Sequence, residues 1–124
     1  MASKVNDCIY CASVHARKAA SFSHRPDDID QLLSVTLTRD EDWVARDTAP
    51  LAGGQDERWA ALTHAAARLS QVRPTFSPDD VSALQDVGLT HTQIGDLVDA
   101  TAFFAWANRL MLTLGEPSLP DLRN

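Results

Sequence analysis

The segment Cys8-Ile9-Tyr10-Cys11-Ala12-Ser13-Val14-His15 contains both cysteines of the chain and a histidine at helical spacing from each. An α-helix turns by about 100° per residue, so Cys8, Cys11 and His15 lie on one face, within about 60° of one another. We expect Asn6 or Asp7 to cap this helix and Cys8 to lie in its first turn, where unpaired N–H groups favour a thiolate. The histidine, one turn beyond the second cysteine, can accept a proton or relay it. The segment therefore predicts a helix that presents one chemical site.

Length and composition bound the class of protein. With 124 residues, 44% of them hydrophobic, the chain is expected to form a single domain over 1–124 without needing a disulfide. A net charge of −6 and an isoelectric point near 4.9 argue against nucleic-acid and membrane partners. Polar residues precede any apolar run at the N-terminus, so we expect a cytoplasmic protein. In a reducing compartment, two cysteines three residues apart indicate redox chemistry or a metal more often than a structural bridge.

Hydrophobic periodicity predicts an all-α protein with five helices. They are expected from about Asn6 to Phe22, from Pro26 onward, from about Asp56 to Gln71, from Pro78 to Gly88, and from His91 to Leu114. Ile29, Leu32 and Leu33 form the buried face of the second helix. Thr90 and Gln93 have the spacing of a capping box for the fifth, and glycines follow the fourth and fifth.

The remaining segments are predicted to be irregular. Residues 38–55 include Pro50 and Gly53-Gly54 and are interpreted as a linker, in which Trp43 and Val44 could anchor a turn of helix. The acidic run at 40–42 is expected to be solvated. Residues 116–124 are expected to be extended.

The fifth helix is apolar on nearly every face between Val98 and Leu114. Such a helix is either central in the fold or shared with a neighbouring subunit. Its uninterrupted apolar run covers only 102–107, too short to span a membrane. Four aromatic side chains at helical spacing are expected in the core or at a subunit interface; they are Trp59, Phe103, Phe104 and Trp106.

One internal similarity relates two parts of the chain. The segment at 25–32 begins Arg-Pro-Asp-Asp, and the segment at 77–84 begins Ser-Pro-Asp-Asp, at an offset of 52 residues. Both follow a long predicted helix. Either a duplication or the shared chemistry of helix N-termini explains this pattern.

The pattern Ser3-x-x-Asn6-x-Cys8-x-Tyr10-Cys11-x-x-x-His15 resembles the motif of alkylhydroperoxidase D-like proteins within the carboxymuconolactone decarboxylase superfamily. Two later patterns are similar to the C-terminal helices of peroxidase-related members. These are Leu84-x-x-x-Gly88-Leu89-x-x-x-x-Ile94 and Phe103-x-x-x-x-Asn108-Arg109-x-x-x-x-x-Gly115. The resemblance therefore covers most of the chain.

This resemblance implies an activity and a set of roles. It implies a helical alkylhydroperoxidase-like fold that assembles as a homotrimer or homohexamer. Cys11 would be the thiol that attacks the peroxide, Cys8 the resolving thiol, and His15 part of the proton relay. The substrate would be a hydroperoxide and the reductant an external dithiol. We expect no bound cofactor or metal, because the chain has no Gly-rich turn for a flavin or nicotinamide.

Two features depart from the family pattern. The family's relay includes a glutamate about a dozen residues before the first cysteine, and this chain has only seven residues there. The absence of that glutamate is consistent with an N-terminally truncated form that lacks an upstream helix. Tyr10 also stands where some members have a histidine.

Several alternatives remain open from the residues alone. The cysteines could be buried small apolar groups beside a hydrogen-bonded histidine. They could instead bind zinc with His15 and a fourth ligand from His24 or His64. Glu57 is a candidate substitute for the relay acid. The alternative function is a non-enzymatic, oligomeric redox-sensing or binding domain.

Overall fold

The computed structural model describes residues 1–115, which contain six α-helices and one 3-10 turn. The helices are α1 (Ala2–Val5), α2 (Ile9–Ser23), α3 (Pro26–Ser34), α4 (Glu57–Ser70), α5 (Pro78–Asp86) and α6 (His91–Leu114), and the 3-10 turn covers Ala49–Ala52. The all-α prediction is confirmed for these residues. The predicted extended tail lies outside them. No helix within 1–115 combines the length and the apolar character needed to cross a membrane.

The ends of the later helices follow the predicted capping chemistry. The Asp56 carboxylate accepts a hydrogen bond from the backbone N–H of Trp59 at 2.8 Å and begins α4. Capping boxes open α5 and α6, the second of them formed by Thr90 and Gln93. Gly88 after α5 and Gly115 after α6 have φ of +87° and +93°, which glycine adopts without steric cost. The predicted start of α3 and the predicted bounds of α4 to α6 are confirmed to within one or two residues.

The prediction of a single first helix beginning at Asn6 is wrong. A separate turn, α1, precedes it, and the N-cap of α2 is Cys8 itself rather than Asn6 or Asp7. The backbone N–H of Cys8 donates to the carbonyl of Ser3 at 2.9 Å, so the chain reverses between the two helices. Packing explains the difference, because Ala2, Ser3 and Val5 of α1 are buried.

The interpretation of residues 38–55 as a linker is also wrong. Leu51 is 1% exposed and Ala45 3% exposed, and both belong to a core cluster with Val5 of α1. The Asp40 carboxylate organises the turn, accepting hydrogen bonds from the N–H groups of Val44 at 2.8 Å and Asp42 at 3.0 Å. The Val44 bond is the main cause that lowers the pKa of Asp40 below its usual value. Trp43 anchors no helix, since its φ is +63° and its side chain is 65% exposed.

Two core clusters lie against α4. One contains Val5, Leu32 and Ala67, and the other contains Ala65 and Leu84. Because Ala65 and Ala67 both belong to α4, this helix joins the two clusters. Helix α6 packs on α4 and α1, whereas α2 packs mainly on α1 and α3. The helix that carries the cysteines therefore lies at one side of the core.

Candidate functional site

The two cysteines lie at the start of α2 in different surroundings. Both are thiols, Cys8 being 2% exposed and Cys11 6% exposed. Cys8 is the N-cap, and Cys11 is the buried residue of α2, the other fourteen side chains of this helix being exposed or half-buried. The first turn of α2 has no acidic side chain, so the positive end of its dipole can favour negative charge there.

A cavity of about 300 Å³ lies between the first three helices and α4. Of the two cysteines, Cys11 lines the cavity and Cys8 does not. His15, one helical turn along α2, lines it as well. Most of the remaining wall is apolar and includes Ile29, Leu32, Leu62 and Leu97. The cavity therefore brings one thiol and one imidazole to an apolar space, which is the usual character of a small-molecule site.

His15 lies at the exposed edge of this cavity. Its ring makes an edge-to-face contact with Phe104 of α6, with 4.7 Å between the ring centroids. Such contacts add to the stability of a particular ring orientation. Phe104 thus restrains the imidazole, a role that the sequence did not indicate.

A buried hydrogen-bonded pair connects α6 to the other side of the cavity. Ser3 Oγ donates to Asn108 Oδ1 and Asn108 Nδ2 donates to Ser3 Oγ, both at 3.0 Å. Asn108 is 0% exposed, and Ser3 lines the cavity. The Ser3 carbonyl also accepts the hydrogen bond from Cys8, so Asn108 fixes the turn that places the cysteines. The sequence placed both residues in a family pattern but assigned them no role; an asparagine inside a very apolar helix was the available signal.

Few ionisable side chains line the cavity. Among the described residues, its ionisable side chains are Cys11, His15 and Lys4, and the Lys4 ammonium donates to the carbonyl of Leu33 at 2.6 Å. Glu57, the candidate relay acid, is the exposed first residue of α4 and does not line the cavity. The preference of acidic residues for helix N-termini accounts for its position.

Trp59 is a cavity residue that sequence reasoning placed only in the core or at an interface. Its indole N–H is buried and has no acceptor among residues 1–115. The guanidinium of Arg25 lies 5.2 Å from the centre of the indole ring. An unsatisfied buried donor costs about 1–3 kcal/mol, so an acceptor that reached this N–H would be favoured.

The other histidines do not join the cysteines. His24 is the exposed, left-handed C-cap of α2, with φ of +55°. His64 is half-buried on α4, and the exposed His91 pairs with Gln85. Within 1–115, no three His, Cys, Asp or Glu side chains are grouped as metal ligands. The zinc arrangement with His24 or His64 as the fourth ligand is therefore not formed.

Comparison with known proteins adds no assignment. No protein-family model matches the chain, and neither a curated protein nor a solved structure matches it. The functional interpretation therefore depends on the cavity and on the motif. The cavity supports a site around Cys11 and His15, whereas Cys8 is buried outside the cavity wall.

Proposed function

We propose that this protein is a thiol-dependent peroxidase of the alkylhydroperoxidase D-like kind, with its reaction centre in the cavity. The observation that carries the proposal is that Cys11 and His15, one helical turn apart, line the same apolar cavity. A nucleophile and a proton-transfer group within one small space are the two parts that peroxide reduction requires. In this proposal Cys11, Cys8 and His15 take the roles that the resemblance implies, namely attacking thiol, resolving thiol and proton relay.

In the first step, the Cys11 thiolate attacks the terminal oxygen of the hydroperoxide. The O–O bond breaks, Cys11 becomes a sulfenic acid, and the departing alkoxide takes a proton from His15 to leave as an alcohol. In the second step, the Cys8 thiol condenses with the sulfenic acid, which forms a disulfide and releases water. An external dithiol then reduces the disulfide to the two thiols and is itself oxidised to a disulfide.

The cavity wall favours an organic hydroperoxide over hydrogen peroxide. Apolar side chains such as Leu62 and Leu97 would bury an alkyl or aryl group. The indole N–H of Trp59 could donate to an oxygen of the same substrate. We therefore expect the specificity constant to rise as the organic group lengthens from tert-butyl to cumyl hydroperoxide.

Turnover by this chain should be slow. No carboxylate lines the cavity among the described residues, so His15 has no acidic partner there to orient it. General acid–base assistance contributes about 10² to 10⁴ in rate, and part of this factor should be missing. Brisk turnover would point to another acid.

The test measures hydroperoxide consumption with an excess of dithiothreitol as reductant. Cys11→Ser should abolish consumption, whereas Cys8→Ser, assayed without dithiothreitol, should consume one equivalent of hydroperoxide and stop at the sulfenic acid. His15→Gln should lower the rate at least tenfold, and His24→Gln, at the other end of the same helix, should leave it unchanged. Mass spectrometry after mild peroxide should show the loss of two hydrogens from the wild-type chain. A stable sulfinic acid with no disulfide would contradict the two-cysteine cycle.

The alternative is a non-enzymatic redox-sensing or binding domain. The cavity without a carboxylate favours it, since such a site can bind an apolar ligand without rapid proton transfer. A thiol pair that oxidises reversibly but consumes no peroxide catalytically would support this function instead.

We also propose that the protein assembles as a homotrimer or homohexamer. Phe103 and Trp106 of α6 are 57% and 56% exposed, and Phe22 of α2 is 85% exposed. They are therefore not core residues of a single chain, and neighbouring subunits would cover them. Light scattering at micromolar concentration should give a multiple of 13.5 kDa. Replacing both Phe103 and Trp106 by lysine should lower the measured mass, and a wild-type monomer would contradict the assembly.

A further inference from the structure

The position of Cys8 raises a question of access. In the proposed function, which this inference takes as its basis, an external dithiol attacks the Cys8–Cys11 disulfide. Cys8 is 2% exposed and does not line the cavity by which a peroxide would reach Cys11. The backbone around Cys8 must therefore move before a reductant can reach its sulfur.

The residue before Cys8 is held in an unfavourable conformation. Asp7, with φ of +60°, is one of three non-glycine residues in 1–115 with positive φ, the others being His24 and Trp43. Two of these three residues form a hydrogen bond with each other, in which Trp43 Nε1 donates to Asp7 Oδ2 at 2.6 Å. Positive φ is uncommon for aspartate and much rarer for a bulky side chain such as tryptophan. Two strained residues are thus joined across 36 positions of the chain.

Arg39 contacts both partners of this hydrogen bond. Its guanidinium lies 5.9 Å from the centre of the Trp43 ring and 3.7 Å from Asp7 Oδ1. It also donates to the carbonyls of Lys4 and Val5, at 3.0 and 2.9 Å, at the end of α1. Arg39 is thereby anchored to α1, while the Trp43 side chain is 65% exposed. The indole can leave Asp7 without disturbing the core.

We propose that the Trp43–Asp7 hydrogen bond is a clasp that keeps residues 6–8 closed, and that its opening exposes Cys8 to the dithiol reductant. Opening lets Asp7 relax to an ordinary φ, and it hydrates the amide nitrogen of Asn6, which is buried with no partner among the described residues. The backbone N–H groups of Asn6 and Cys8 also hold this segment, because they donate to the carbonyls of Ala2 and Ser3, both at 2.9 Å. The hydrogen bond from Trp43 and the 3.7 Å ion pair with Arg39 are the side-chain contacts that hold Asp7 in the closed form.

Opening of the clasp would let the reductant approach Cys8 from a cleft beside the cavity. This cleft of about 200 Å³ shares part of its wall with the cavity and is also lined by Asp7 and Ile9, the residues on either side of Cys8. A reductant thiolate arriving there would attack the Cys8 sulfur, the Cys8–Cys11 bond would break, and Cys11 would leave as a thiolate. The second thiol of the reductant would then attack the mixed disulfide and release Cys8 as a thiolate, with the reductant oxidised to a disulfide.

The test is native-state alkylation of the reduced protein by iodoacetamide, with the rate at each cysteine read by peptide mass spectrometry. Trp43→Phe keeps an aromatic ring over Arg39 but removes the indole N–H. The rate at Cys8 should rise about tenfold, because a hydrogen bond to a carboxylate is lost, and the rate at Cys11 should stay unchanged. Trp106→Phe is the control, since Trp106 is a comparably exposed tryptophan on α6, and it should change neither rate.

Two results would overturn the clasp. One is an unchanged Cys8 rate in Trp43→Phe, and the other is an equal rise at both cysteines, which would indicate general loss of structure. Asp7→Ala provides an independent variant from the other side of the bond and should also raise the Cys8 rate alone. Alkylation requires no peroxide, so this test is independent of the peroxidase assay. The clasp proposal can be wrong in a protein that has peroxidase activity, and it can be right in a protein that has none.

Discussion

The helix pair α2–α3 and the helix pair α4–α5 have nearly the same dimensions but very different packing. The first helices have 15 and 14 residues, and the second helices have nine each, beginning Pro-Asp-Asp. Yet α2 buries one side chain, Cys11, whereas α4 buries five. The long helix of the first pair therefore buries little besides one candidate thiol, whereas the long helix of the second pair contributes to both core clusters.

The sequences of the two long helices explain this difference. Helix α4 contains Ala65, Ala66 and Ala67, whose small side chains let neighbouring helices approach closely on several sides. Helix α2 carries Arg17 and Lys18 in its middle, which keep one side in water. The cavity lies where α2 and α3 face α4. Loose packing of one pair against the other thus provides the space in which Cys11 and His15 can act.

The largest expected effect on stability comes from two leucines at matching positions in the two helix pairs. Leu84 of α5 is 0% exposed, and Leu32 of α3, 52 positions earlier, is 7% exposed and lines the cavity. Leu84→Ala should lower the free energy of unfolding by about 2–5 kcal/mol, because it opens a void in a filled core. Leu32→Ala only enlarges an existing cavity and should cost less. Urea denaturation followed by circular dichroism checks both, and equal losses would remove the distinction between the pairs.

The second comparison uses the equivalent aspartates. Asp80 is 6% exposed; it accepts from the N–H of Ser77 at 2.7 Å and lies 3.5 Å from Arg68. Asp80→Ala should cost about 1–3 kcal/mol, since it leaves a partly buried N–H without its acceptor. Asp28→Ala should cost less, because its Arg25 partner lies near the surface and exposed ion pairs contribute little. Urea denaturation of both variants measures the two losses, and a larger loss for Asp28→Ala than for Asp80→Ala would contradict this expectation.

The smallest effect concerns the link between the pairs. Asp56 caps α4 and forms an ion pair with Arg25, the N-cap of α3. The hydrogen bond from the Trp59 N–H is the main cause that lowers the pKa of Asp56 below its usual 3.8, and the hydrogen bond from Arg25 is the next. A carboxylate with a lowered pKa stabilises the folded state above about pH 4, and this contribution is lost as the pH falls through the folded-state pKa. Urea midpoints should therefore fall more steeply below about pH 4 for the wild type than for Asp56→Asn. Parallel curves would show that this link does not depend on ionisation.

The sequence predicted most of the later helices because their ends use local chemistry. Thr90 with Gln93, Pro78 and Gly88 act within a few residues, so spacing alone locates them. The errors fall where distant residues decide the structure. Asp7 and Cys8 form a turn rather than a helix because Trp43, Arg39 and Ser3 bond to them, which no local pattern signals.

The candidate site was likewise predictable only where local helical spacing determines it. Helical spacing placed Cys11 and His15 on one face, and both line the cavity. It could not show that Cys8 is closed off, because burial depends on segments far along the chain. Nor could it identify Phe104 or Trp59 as site residues, since the sequence alone gives aromatic residues in a core and in a cavity wall the same pattern.

The pair formed by Ser3 and Asn108 also constrains the order of folding. The two residues are 105 positions apart, and their hydrogen bonds attach α1 to α6. During synthesis the ribosome releases the chain from its N-terminus at about 5–20 residues per second. Helix α2 can form early, but the hydrogen bonds between Ser3 and Asn108 cannot form until Asn108 has emerged. The nascent chain therefore carries both thiols without the finished cavity for several seconds, and its cysteines become a site only when nearly the whole described chain has been made.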